Sequence, residues 1–241
     1  ATSWRIGQPF VGEHAMAAED SVQRLLEVRA PAAVGFVQAD EQPVQQVLQG
    51  IDEALAVGLG PLKVNMVVQR GVNESQILPM VHHFKDRPVE LRFIEYMDVG
   101  QTNRWRMDEV LPWQAIHALI HAHHPLQALP PREPGETARR WRHTGAQGRI
   151  GFIASVTQAF CGECTRLRLS TEGRLYTCLF ADRGADVRSL LRDATVSNEE
   201  IAARVAALWQ ARTDRYSELR LQPAPSDAPP RQRIEMSYIG G

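Results

Sequence analysis

The three cysteines of this 241-residue sequence, Cys161, Cys164 and Cys178, all fall within residues 160–180. Cys161 and Cys164 form a C-x-x-C pair. Cys178 ends what reads as a β-hairpin, because residues 166–170 and 174–178 alternate like strands and Glu172-Gly173 supplies turn chemistry between them. A hairpin returns its second strand to where the first began, so the three thiols should converge. Converging thiolates suit a metal. A structural zinc takes four ligands, one more than these thiols offer, whereas an iron–sulfur cluster held by three cysteines leaves one iron open to another molecule. A disulfide with a spare thiol, or three buried apolar cysteines, are the plainer alternatives; the clustering of every cysteine favours the metal.

Arg166 and Arg168 follow directly. Residues two apart on a strand share a face, so both guanidinium groups point the same way, with Leu167 and Leu169 on the opposite face, expected to be buried. Two such groups side by side repel unless an anion lies between them, and their forks match phosphate oxygens. The alternative is an exposed pair on a solvated hairpin. A further cation, Lys63, lies on a predicted strand and either faces a ligand or reaches solvent at the strand end. His117 and His121 share one helical face, with His123 and His124 after them. Two histidines at i and i+4 can bind zinc, but no acidic or thiol ligand is near, and a solvated polar face is the better reading.

The elements that must position these groups are legible from residue 43 onward. Val44, Val47, Leu48, Ile51 and Leu55 recur at helical spacing, with Gly58 and Gly60 as a stop. Leu62–Val68 reads as a strand with Lys63 and Asn65 on one face. Asn73 is placed to cap a helix over 74–84, and residues 89–97 read as the next strand. This strand–helix–strand order predicts an α/β fold with a parallel sheet or barrel. Residues 113–122 form a short helix, the proline-rich run 128–135 a boundary or loop, and 139–144 and 149–155 strands that lead into the cysteine hairpin. Residues 185–192 and 197–210 read as helices, the second opened by a Ser197/Glu200 capping box. Residues 222–233 read as an extended linker, and the chain ends in Gly240-Gly241. Residues 1–42 are poorly legible, with a helix over 15–28 and a strand over 32–37 the only elements suggested.

Composition narrows the function classes. Hydrophobic residues make up 44% and charged residues 23%, as in ordinary globular proteins, and the formal net charge of −1 gives no basic field for nucleic acid. No apolar run reaches membrane-span length and no signal peptide is evident. With so few cysteines, a cytoplasmic location is expected.

The run F-C-G-E-C-T-R-L-R-L-S-T-E-G-R-L-Y-T-C-L-F resembles the C-terminal cluster motif of the GTP 3′,8-cyclases, the molybdenum cofactor biosynthesis protein A family of radical S-adenosylmethionine (SAM) enzymes. Thr165 stands where asparagine is more usual. The stretches L-K-V-N-M-V-V-Q-R-G-V-N and L-R-F-I-E-Y-M-D-V-G are similar to the fifth and sixth barrel strands of that family, and the likeness extends over about residues 43–241. It implies that Cys161, Cys164 and Cys178 hold a 4Fe–4S cluster whose open iron meets guanine. Arg166, Leu167, Arg168 and Lys63 would belong to the GTP site, Met97 would lie against SAM, and Arg92 would stand near the active site. Gly240 and Gly241, lacking side chains, would enter the cavity.

The implied fold is a partial, incomplete TIM-like barrel half over 43–105, with a smaller α+β cluster- and GTP-binding domain over 106–221 and a tail over 222–241. A barrel lacking strands exposes edges that a partner or residues 1–40 must cover. The implied reaction is a lyase step of molybdenum cofactor biosynthesis. A 5′-deoxyadenosyl radical from SAM removes hydrogen from ribose C3′ of GTP, and C3′ then bonds to C8, giving (8S)-3′,8-cyclo-7,8-dihydroguanosine 5′-triphosphate. GTP and a downstream cyclic pyranopterin monophosphate synthase are the implied partners, with a homodimer as a candidate assembly and neither nucleic acid nor membrane expected.

One departure bears on activity. The family's SAM-cleaving cluster is held by a C-x-x-x-C-x-x-C motif, and no cysteine precedes Cys161. Three readings follow: part or a divergent copy of the cyclase, a non-catalytic GTP- and iron–sulfur-binding module, or a zinc-stabilised structural domain.

Overall fold

The computed structural model describes residues 41–99, 103–220, 234 and 236–239. The helix expected over 15–28, the strand over 32–37, the linker over 222–233 and the Gly240-Gly241 pair lie outside the described residues. Two compact units divide after Leu62. The described part of the first is helix α1 (Glu41–Ala56). It ends where Gly58 adopts φ 76°, a left-handed conformation that a side chain would strain.

The second unit, Lys63–Gly241, contains a five-stranded mixed sheet, order β1-β2-β5-β4-β3. Its strands are β1 (Leu62–Val68), β2 (Val89–Glu95), β3 (Leu126–Leu129), β4 (Arg139–His143) and β5 (Arg149–Ile153). β2 and β5 run parallel, with Leu91 opposite Ile150 and Phe93 opposite Phe152. β4 is antiparallel to β5, and β3 to β4. A parallel pair requires a long crossover; here helix α3 (Trp113–His123) and the β3–β4 hairpin supply it. The fold is therefore α/β. The boundary expected at 105/106 falls inside this sheet, with β1 and β2 before it and β3 to β5 after it.

β2 is buried at nearly every position, as a strand covered on both faces must be. Helices α2 (Ile77–Phe84) and α3 pack against it through Ile77, Val81 and Phe84, and through Ile116 and Ile120. The Phe93 and Phe152 rings stack with centroids 6.1 Å apart at the centre of this layer. Each such fully buried side chain contributes about 1.5–3 kcal/mol. Asn73 does not cap α2 through its side chain. Its amide instead accepts from Gln69 N–H at 2.9 Å and donates to the Val67 carbonyl at 2.8 Å, closing the turn after β1. His117 is not on a solvated face either: its ring lies 5.2 Å from Trp141 and 5.7 Å from Phe152, and burial lowers its pKa.

A second sheet, order β6-β7-β8, is built from β6 (Arg168–Leu169), β7 (Arg174–Tyr176) and β8 (Ala185–Asp186), all antiparallel. Gly173 turns the first hairpin at φ 77°, where a Cβ would stand 2.6 Å from that of Arg188. The helix expected over 185–192 is instead β8 followed by the short helix α4 (Arg188–Arg192). The free edge of β7 takes Ala185 and Asp186 into the sheet, and the Asp186 carboxylate then accepts from Ser189 N–H at 3.1 Å. Helices α5 (Asn198–Gln210) and α6 (Tyr216–Leu219) follow. Ser197 Oγ caps α5 by accepting from Glu200 N–H at 3.1 Å, while the Glu200 carboxylate pairs with Arg204 instead of completing the box. Among the described residues no helix is long and apolar enough to cross a membrane.

Candidate cluster and nucleotide site

The ends of β2 and β5 converge on one cavity of about 230 Å³. From the sheet it is lined by Ile94, Met97, Ile153 and Ser155, and from the hairpin region by Cys161, Cys164, Arg166, Arg168 and Cys178. The three thiols and the two guanidinium groups thus line one cavity, and Met97 lines it from the sheet side.

What brings the cysteine segment here is Glu95, the last residue of β2, whose side chain is fully buried. Its carboxylate accepts from the backbone N–H groups of Val156 (2.9 Å), Thr157 (2.8 Å) and Trp113 (2.9 Å), and from Thr157 Oγ1. One carboxylate therefore ties the chain leading to Cys161 and the start of α3 to the strand end. Arg220 supports the same loop. It donates to the Ser155 carbonyl at 3.2 Å and pairs with Asp98 at 2.9 Å, beneath the rings of Trp105, Phe180 and Tyr216.

Cys161 opens a 3-10 turn, Cys161–Glu163, and Cys164 follows it. Arg166 Nη2 lies 3.3 Å from Cys164 Sγ. Burial alone would raise the Cys164 pKa, but the neighbouring Arg166 and Arg212 outweigh it and hold the thiol below its ordinary value. Cys178 moves the other way: burial raises it, and Asp214 adds to the rise. Arg168 is lowered by burial and by the like charge of Arg166.

Alternation of Arg166, Leu167, Arg168 and Leu169 survives, but the buried face is the opposite of that expected. Leu167 and Leu169 are 39% and 60% exposed, while the arginines turn inward to the cavity. The cysteine-bearing face borders the cavity, and Arg166 and Arg168, in register with Cys164, follow it. Arg92 does not line the cavity; its side chain pairs with the buried Glu90 at 2.7 Å, which Arg132 and Arg140 also engage. Lys63 is exposed on β1 and is likewise not among the lining residues. Gly240 and Gly241 lie outside the described residues, while Ile239 is buried with Tyr176 and Ala181, and Cys178 packs against that group.

Three thiols on one cavity are a donor set that suits a three-cysteine iron–sulfur cluster. Among the described residues, no three Cys, His, Asp or Glu side chains stand close enough to hold one metal ion. The three thiols surround a common cavity with a largely apolar wall of Ile94, Ile153, Phe160 and Phe180. Residues that sequence reasoning missed are Glu95, Arg212, Asp214 and Glu218. They reach the site across long stretches of chain and carry no local motif.

Comparison with known proteins agrees with this architecture. Residues 89–218 match the family model described as Molybdenum Cofactor Synthesis C. Curated relatives named GTP 3′,8-cyclase include one from Acidothermus cellulolyticus, 42% identical over 90% of this chain and 65% of its own length. Another, from a Synechococcus strain, is 46% identical over 86% of this chain and 58% of its own length. A third, from Xanthomonas axonopodis pv. citri, is 43% identical over 88% of this chain and 61% of its own length. The chain thus spans less than two thirds of these relatives. Matched over its sheet, its cysteine turn and its hairpin alike, the chain belongs to the GTP 3′,8-cyclase family through its Molybdenum Cofactor Synthesis C region.

Proposed function

We propose that this chain forms the GTP-holding part of a cytoplasmic GTP 3′,8-cyclase of molybdenum cofactor biosynthesis, contributing to formation of (8S)-3′,8-cyclo-7,8-dihydroguanosine 5′-triphosphate. The observation that carries it is the convergence of Cys161, Cys164, Cys178, Arg166 and Arg168 on one cavity. The three cysteines would hold a 4Fe–4S cluster. When bound, that cluster supplies an open iron as a Lewis-acidic contact for the guanine. The chain's own residues do the rest. Arg166 and Arg168 present guanidinium forks to the triphosphate, with Lys63 as a further cation by family likeness. Phe160 and Phe180 supply apolar wall that would shield the cavity from water. Met97 would contact SAM, and the sheet would be part of an incomplete TIM-like barrel.

All three cysteines are used by this one site, so no step of SAM cleavage is derived from this chain. That same observation supports a second reading, a GTP- and iron–sulfur-binding module without turnover. Iron, sulfide and zinc content, with GTP binding and SAM-dependent turnover, measured on protein purified without oxygen, tests both. About four irons and four sulfides per chain with GTP binding supports the site, and turnover then selects the cyclase. Zinc alone would sink the cluster assignment and leave a structural domain.

A further inference from the structure

The C-x-x-C turn is gripped by the corner between α5 and α6. Arg212, just past the end of α5, donates from Nη1 to the Cys164 carbonyl at 2.8 Å and from Nη2 to the Cys161 carbonyl at 3.1 Å. Its guanidinium lies over the Trp209 ring, 4.5 Å from the centroid, which fixes the plane of the fork. From the same corner, Glu218 Oε1 accepts from Gly162 N–H at 3.2 Å, and Glu218 is itself paired with Arg215. Two carbonyls and the N–H between them are thus held by side chains only six residues apart. Asp214 and Ser217, on the same corner, line the cavity. Asp214 also accepts from Thr177 Oγ1, next to Cys178, so the corner reaches both sides of the thiol set.

From this geometry we infer that Arg212, assisted by Glu218, is a positioning residue for the cluster ligands. The inference rests on the three-cysteine cluster reading. The turn has no helix or sheet ladder of its own to hold it; its only regular structure is one 3-10 turn. Without the fork, Cys161 and Cys164 must be ordered when the cluster binds, and that ordering weakens retention. Arginine is needed for two reasons. Only a planar fork spans two carbonyls, and its charge lies beside sulfur atoms that carry negative charge as ligands. Lysine keeps the charge and loses the fork.

The test compares wild type, Arg212→Met, Arg212→Lys and Glu218→Gln as full chains. Hydrogen exchange of the iron-free proteins reports the turn without any cluster. Loss of iron to a chelator, and the reduction potential, are then read on the reconstituted proteins. Arg212→Met should exchange faster at residues 160–165 with an unchanged thermal midpoint, and release iron about 10-fold to 100-fold faster, the range for lost outer-shell partners. Its potential should fall, because a positive charge has left. Arg212→Lys should keep the wild-type potential and release iron at an intermediate rate, and Glu218→Gln should show a smaller change at the same residues. Unchanged exchange and iron release in Arg212→Met would overturn the role. A wild-type chain that takes up no iron would overturn the cluster reading itself, and this role with it, whatever the exchange data.

Discussion

Arg166 Nη2 lies 3.3 Å from Cys164 Sγ, and the same guanidinium covers the Phe160 ring at 5.0 Å from its centroid. The arginine therefore faces the thiol and the cavity together. Arg168 and Arg212 line the same cavity, and among the described lining residues the only carboxylate is Asp214, engaged by Thr177. Three cations against one paired acid favour a polyanion. Each charge-assisted hydrogen bond to a phosphate is worth about 1.5–3 kcal/mol. Arg166→Ala combined with Arg168→Ala should weaken GTP binding by about 100-fold or more, with iron content unchanged. Equilibrium dialysis against GTP in the absence of oxygen checks this, and an intact affinity would remove the phosphate role.

Glu95 should matter to folding more than any cavity residue. Replacing it by alanine strands the buried N–H group of Val156 and the half-buried N–H groups of Trp113 and Thr157. Leaving such donors unpaired costs about 1–3 kcal/mol apiece, so Glu95→Ala should lose about 3 kcal/mol or more. Glu95→Gln retains an acceptor and should lose less. Urea unfolding measures both; equal losses would mean that the hydrogen bonds are not what the site needs.

Stability should fall on mild acidification through His143. It is buried, and burial, then the charges of His124 and Lys85, lower its pKa, with Asp86 opposing. A histidine depressed in the folded state contributes fully above its unfolded value of about 6.5, and that contribution is lost as pH falls through that value towards the folded pKa. Thermal midpoints should therefore decline below about pH 6.5, and His143→Leu should flatten the decline. A slope unaltered in that variant would assign the effect elsewhere. At lower pH Glu90 adds to the loss. Burial opposes its ionisation, but Arg92, Arg132 and Arg140 outweigh burial and hold its pKa down. The stability it contributes is present above about 4.3 and disappears as pH falls through its folded value.

Within the C-terminal segment, Ile239 should matter to folding and the Gly240-Gly241 pair should not. Ile239 is buried with Tyr176 and Ala181, and truncating such a side chain to alanine costs about 2–5 kcal/mol. Ile239→Ala should lower the thermal midpoint, whereas deletion of Gly240-Gly241 should spare folding and cluster assembly. A collapse of stability on deleting the glycines would show them to be structural.

Much of this site could be read from the chain because its signals are local. The C-x-x-C spacing, the hairpin turn at Glu172-Gly173 and the alternation from Arg166 to Leu169 are each set by neighbours within a few residues. Helical and strand periods likewise revealed α1, β1 and α2. Periodicity separates two faces of a strand but does not name the buried one, and on this hairpin the arginine face turned inward while Leu167 and Leu169 faced solvent. Nor could local preference foresee that Ala185 and Asp186 would join β7, because a free sheet edge offers hydrogen bonds that the segment alone does not have. The grip of Glu95 on Val156 and of Arg212 on Cys161 and Cys164 is the clearest case. A lone carboxylate at a strand end and a lone arginine past a helix are unremarkable in sequence. Their roles exist only once folding has brought distant unpaired backbone groups within hydrogen-bond reach and removed the water that would otherwise satisfy them.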